Sequence, residues 1–133
     1  AALRGLSRRQ FTYRYPMRFV IPGQLPDLNQ TIAASKKHWN HYAAEKRRQT
    51  HRVAWLVRAA RLRPITRPAT IKFNWICKDR RRDKDNVRFA AKYILDGLVL
   101  AGVLADDGWD QIDGFEDRFS IDAEDPRIEV ELV

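Results

Sequence analysis

Asp83 and Asp85 stand two residues apart in the segment Arg80-Arg81-Arg82-Asp83-Lys84-Asp85-Asn86, directly after an alternating apolar run. On extended chain leaving a strand, that spacing sets both carboxylates on one side. Two carboxylates a few ångströms apart repel and lose hydration together, and the usual partner that relieves this is a divalent cation. All-oxygen ligation suits Mg²⁺ or Mn²⁺. The competing reading is local. Asp ahead of a helix is a common N-cap, worth roughly 1 kcal/mol, and either residue could serve in that way.

Other charged residues bear on the choice. On a continuous helix at about 100° per residue, Lys92 and Asp96 return to nearly the face of Asp85, with Phe89 nearby. A lysine there could neutralise a phosphate or a leaving oxygen. As a plain i,i+4 pair with Asp96 it would add only a few tenths of a kcal/mol. Asp106 and Asp107 follow that helix, with Asp110 and Asp113 close behind. One helix and a turn separate them from Asp83, so the chain could bring them back beside it. Asp107-Gly108 is also a strong turn signal, and its ordinary reading is a solvated turn.

These residues need a frame. Met17–Ile21 reads as a first strand, closed by Pro22-Gly23 and Pro26, with Asp27-Leu28-Asn29 as a loop able to cap a helix. The stretch 31–62 favours helix, most clearly from Tyr42 to Arg61, where Val53, Leu56, Val57 and Ala60 recur at intervals of three and four. Pro64 and Pro68 end it. In Thr70–Lys78, Ile71, Phe73, Trp75 and Cys77 alternate with polar residues, as in a half-buried strand. After Asn86 an amphipathic helix runs to about Ala101, with Val87, Ala91, Ile94, Leu95 and Leu98 as its core stripe and Gly102 placed for a left-handed C-cap. Ile112–Ile121 and Ile128–Val133 read as closing strands. The order β-α-β-α-β-β predicts a single α+β domain, a mixed sheet with two main helices packed on it.

Charge is divided along the 133 residues. Residues 1–82 hold 20 Lys and Arg against Asp27, Glu45 and Asp79, whereas residues 83–133 hold 14 acids against five bases, for a net +8. Histone-like uniform basicity is excluded. An acidic tail is unlike this pattern too, because the acids are interleaved with Ile, Leu, Val, Trp and Phe. Residues 1–12 are expected to be a mobile basic arm, without the apolar stretch of a secretory signal. No apolar run is long enough to span a membrane. Cys77 is the one cysteine, which forbids an intrachain disulfide and a cysteine-based zinc cluster. A carboxylate cluster beside a strongly basic region fits an enzyme acting on a polyanion. Lys36, Lys37, Arg47, Arg48, Arg52, Arg58, Arg61, Arg80, Arg81 and Arg82 are the candidate phosphate contacts. Trp39, Tyr42 and Trp109 could stack on bases or belong to the core.

The DxDN at 83–86, a helix carrying Lys92 and ending Ile94-Leu95-Asp96-Gly97-Leu98, and the stretch Ala105-Asp106-Asp107-Gly108-Trp109-Asp110-Gln111-Ile112 together resemble the RusA-like Holliday junction resolvases. These are small endonucleases, often encoded by phages or prophages. Pro26-Asp27-Leu28-Asn29 fits the family's loop after its first strand, and the likeness covers residues 17–132. It implies an endonuclease domain over 13–133 and a homodimer. That dimer would bind a four-way DNA junction and nick two strands symmetrically with Mg²⁺ or Mn²⁺, serving DNA recombination and repair in the cytoplasm of a bacterial or phage-infected cell. Carried over by motif, Asp83, Asp85 and Asp107 are the metal ligands, with Asp106 the rival for the third place. Lys92 is the catalytic cation, and Asn86 orients the motif. In the type member's pattern the lysine follows the Asn by three residues, where this chain has Phe89; Lys92 keeps only its spacing to Asp96. Two other readings are a non-catalytic nucleic-acid-binding protein and a nuclease on flaps or single strands.

Overall fold

Burial along the strands follows the alternation in the sequence. Ile71, Phe73 and Trp75 are at most 1% exposed, while Lys72 and Asn74 between them reach solvent. The structure, a computed structural model, describes residues 17–133. The basic arm expected over residues 1–12 lies outside them. Eight elements follow in order: β1 (Met17–Pro22), α1 (Leu28–Lys37), α2 (Trp39–Ala59), β2 (Ala69–Cys77), α3 (Lys84–Arg88), α4 (Ala91–Leu100), β3 (Ile112–Ile121) and β4 (Arg127–Leu132). The strands form one mixed sheet in the order β1-β4-β2-β3. β4 runs antiparallel to both its neighbours, and β2 runs parallel to β3. This is the α+β architecture that the element order predicts.

The helix expected most clearly over Tyr42–Arg61 is present undivided as α2, but the helical stretch as a whole and the second expected helix are each interrupted once. The first breaks at His38, whose backbone is extended at φ −169° and ψ 129°. Its N–H donates to Ala34 O at the end of α1, and its ring Nδ1 accepts from the Asn40 N–H at the start of α2. One residue thus caps two helices. The second divides at Phe89 and Ala90, where the N–H groups of Ala90, Lys92 and Tyr93 reach back three residues rather than four. That tighter winding changes the phase between α3 and α4.

The core lies between one face of the sheet and the helices. Phe19, Ile21, Ile71, Phe73, Trp75, Ile128 and Val130 meet Val53, Val57, Ile94 and Leu98. Closest approach falls at Gly97 of α4. A Cβ placed there would lie 2.4 Å from Val53 Cγ1 and 3.2 Å from the Ala54 backbone nitrogen, so α4 reaches α2 only because position 97 has no side chain. Gly102 takes the left-handed C-cap position at φ 79°. Arg61, at φ 57°, fills the equivalent place after α2, at a steric cost of about 1 kcal/mol.

The other sheet face is open and carries charge in register. Arg18 of β1, Glu131 of β4, Lys72 of β2 and Glu116 of β3 stand side by side, so sign alternates across all four strands. Glu116 and Glu131, without a role in the sequence pattern, belong to this row. Past β3 the chain turns on Arg127, which pairs with Asp122 and Glu129 at 3.1 Å. Its hydrogen bond holds the Asp122 carboxyl below the usual carboxylate range. Among the described residues no helix is long and apolar enough to cross a membrane.

Gly97→Ala is expected to destabilise the fold by about 2 kcal/mol through overpacking. Val53→Ala, which opens the same space, should lose less when combined with it than the two losses added. Urea unfolding of the two single variants and the double variant measures this coupling, and strict additivity would contradict the described contact.

Candidate functional site

Asp83 occupies the N-cap position of α3, with extended φ −67° and ψ 153°, yet its side chain makes no capping hydrogen bond. Only its backbone oxygen serves the helix, accepting from the Val87 N–H at 3.1 Å. Asp85 lies in the first turn, and its carboxylate accepts only from the N–H of its neighbour Asn86, at 2.9 Å. The capping reading of the DxD pair therefore does not account for either carboxylate. The period-two geometry needs correction as well. The helix begins at Lys84, so the two side chains leave a helical start rather than extended chain. They nonetheless line one cavity of about 790 Å³, together with Asp79, Arg80, Arg82, Lys84 and the end of β3 at Phe119–Ile121. Lys84 reaches over the Phe119 ring, 5.6 Å from its centre.

A second motif holds this segment in place. Asp27 is only 3% exposed. Its carboxylate accepts from the Gln30 N–H at 2.8 Å, closing a capping box on α1, and faces the Arg82 guanidinium at 3.4 Å. Two residues on, the Asn29 N–H donates to Asn86 Oδ1 at 3.0 Å. The Pro26–Asn29 loop and the DxDN segment, 57 residues apart at Asn29 and Asn86, are thus tied by two side-chain contacts. Asn86 spends its side chain on an otherwise unpaired N–H in the first turn of α1.

The remaining candidates are spread over several elements. Lys92 pairs with Asp96 at 3.7 Å and does not line the DxD cavity. The tightened turn at Phe89–Ala90 undercuts the continuous-helix extrapolation that put Lys92 on the face of Asp85. Asp106 and Asp107 are not brought beside Asp83. The Asp107 N–H turns back to Asp106 Oδ1 at 2.8 Å, and the chain enters β3 where Ala69 begins β2. Asp83 follows the other end of β2, whose nine residues span roughly 26 Å. Among the described residues no three His, Cys, Asp or Glu side chains gather in a way that could hold a metal. Two free carboxylates with room for substrate phosphates remain a fit for Mg²⁺, which often takes one or two protein carboxylates.

The basic residues divide into holders and exposed charges. Arg82 is committed to Asp27, and Arg52 donates to the carbonyl oxygens of Pro22 and Gln24. Arg48 pairs with Glu45, and Arg58 donates to Leu100 O at the end of α4 at 3.2 Å. Arg81 stands 3.8 Å from Asp79 with its side chain largely in solvent. Lys36, Lys37, Arg47 and Arg80 are exposed. Trp39 is 70% exposed and Trp109 98%, so neither belongs to the core. Tyr42 lines a separate cavity between α1 and α2. Sequence reasoning passed over Asp79, the third acid on the DxD cavity wall. Its signal was its place four residues before Asp83, masked by three intervening arginines.

No family model and no curated protein sequence matches the chain.

Asp27→Ala removes the cap and leaves Arg82 without its partner, and should cost about 2–3 kcal/mol in urea unfolding. Asp27→Asn keeps an acceptor for the Gln30 N–H, so its loss should be smaller. Equal losses would mean that the Arg82 pairing dominates and the cap is incidental.

Proposed function

We propose that the protein is a metal-dependent DNA endonuclease of the RusA-like kind, resolving four-way junctions in the cytoplasm of a bacterial or phage-infected cell. One observation carries this reading. The DxD carboxylates are free of capping duty and face a single cavity walled by cationic side chains. In this reading Asp83 and Asp85 hold Mg²⁺ or Mn²⁺, which when bound supplies an activated water and neutralises charge on the scissile phosphate. Arg80 and Lys84 orient the phosphate from the cavity wall. Lys36, Lys37 and Arg47 extend the grip along the backbone, so that binding weakens steeply with salt. Lys92, beside Asp96, contacts a phosphate outside the cavity. Paired nicks on a junction require two such sites, hence two copies of the chain.

A second reading, a nucleic-acid-binding protein without cleavage, is favoured by one fact. Within a single chain no third ligand joins Asp83 and Asp85 among the described residues.

A labelled four-way junction with Mg²⁺ separates them. The endonuclease reading expects paired symmetric nicks that vanish in EDTA, with Asp83→Asn binding the junction unchanged and cutting at least about a hundredfold more slowly. Binding with no nicking in any divalent metal supports the second reading. Lys92→Ala is expected to weaken junction binding more than turnover at saturation.

A further inference from the structure

The cavity between α1 and α2 is distinct from the DxD cavity and, Lys37 apart, its walls take no part in the reading above. It encloses about 680 Å³, within the range of roughly 300–1,000 Å³ usual for small-ligand sites. Leu25 and Tyr93 are buried in its lining, and Tyr93 Oη shares a hydrogen bond at 3.0 Å with Thr31 Oγ1. That polar pair is satisfied within the fold.

Two side-chain amides of the same lining are not. Gln49 Nε2 donates to Glu45 Oε1 at 2.8 Å, and because an ionised carboxylate only accepts, the orientation of this amide is fixed. Its Oε1 is left buried, with no donor among the described residues. Gln24 Nε2, on the loop after β1, is buried with no acceptor. The two atoms are complementary, yet no hydrogen bond joins them. Leaving both unpaired opposes folding, since each has lost water and gained no partner.

The rim is cationic. Lys37 and His41 are exposed and make no ion pair among the described residues, and Arg48 lines the same opening. Glu45, the acid of the lining, is already held by Arg48 and Gln49. Tyr42 presents a half-buried aromatic ring beside them.

These features select a ligand by its chemistry. An apolar molecule would leave both amides unpaired, and a bare anion would meet only the rim. A nucleotide meets every part. Its base carries donors next to acceptors on one edge, and so can accept from Gln24 and donate to Gln49. The flat face of the base suits Tyr42, and the phosphate suits Lys37, His41 and Arg48. A base inside a duplex has its pairing edge occupied, so a nucleotide of DNA must be unpaired to enter. The cavity is also tied to the DxDN segment: Pro26 lines it, and three residues on the Asn29 N–H holds Asn86.

We propose that this cavity binds one nucleotide unit, either a free nucleoside monophosphate or an unpaired nucleotide of branched DNA. Binding of the free form needs only the fold, while the DNA form rests on the endonuclease reading above.

Thermal unfolding of the full chain with each deoxynucleoside monophosphate at millimolar concentration is expected to show a raised melting temperature for at least one. Inorganic phosphate and the matching nucleoside should each raise it less. In calorimetry, Gln49→Leu should bind that nucleotide about tenfold more weakly, while its stability without ligand is equal or higher because the unpaired acceptor is gone. Ala33→Trp, at an exposed position of the cavity wall, should abolish binding. In the DNA arm, a duplex holding one unpaired fluorescent purine analogue should change its emission with the native chain and not with Ala33→Trp. The fully paired duplex should show no such change. A response in the first arm alone assigns the cavity to free nucleotides, and in the second alone to DNA. Silence in both arms overturns the proposal, as does phosphate acting as strongly as the nucleotide or binding unchanged in both variants. Nucleotide binding by a chain that never nicks a junction sinks the endonuclease reading and leaves the cavity standing. Junction nicking without nucleotide binding in either arm does the reverse.

Discussion

Parallel pairing of β2 with β3 is the constraint that the rest of the molecule obeys. Two parallel neighbours cannot be joined by a tight turn, so the chain must return across the full length of the sheet before β3 can start. The segment from Lys78 to Gln111 makes that return, with α3 and α4 as its rigid part. The acids at 83–85 therefore leave one end of β2, and those at 106–107 arrive at the other. The return also decides how close the helices must come. α4 lies against α2 with Gly97 on Val53, and any side chain there would push the two layers apart.

The division of charge along the chain looks different once folded. Several arginines of the basic two-thirds are brackets rather than a surface for a partner: Arg52 holds the loop after β1, Arg58 the end of α4, and Arg82 the buried Asp27. Burying Asp27 is tolerable because a backbone N–H and a guanidinium both meet its oxygens. The acids of the last third are similarly dispersed. Glu116 and Glu131 enter the ladder on the open sheet face, Asp117 satisfies the buried Trp75 indole, and Asp122 and Glu129 fasten Arg127. What remains unspent is a small set, and Asp83 and Asp85 belong to it.

Period-two alternation made the strands legible. Ile112–Ile121 was readable to the residue, and the other three to within one or two. Helix existence was legible too, along with the Asp27 cap and Gly102. Helix continuity was not. His38 ends one helix and starts another through its own backbone and ring, and nothing in its neighbours' apolar spacing announces this. The tightened turn at Phe89–Ala90 is equally silent, and it spoils an angular extrapolation from Asp85 to Lys92. The gathering of Asp107 with Asp83 failed as a single-chain expectation because linear order does not say whether β3 runs with β2 or against it. An antiparallel β3 would have started at the end where Asp83 lies.

β4 follows every other element in the chain and yet sits inside the sheet, between β1 and β2. A ribosome delivers β1 first, and Phe19 and Ile21 then have no strand to lie beside until more than a hundred further residues have been made. Only β2 and β3 can zip together earlier. The four-stranded sheet therefore cannot close until residue 132 is available, and β1 and β2 lack the strand that joins them until then.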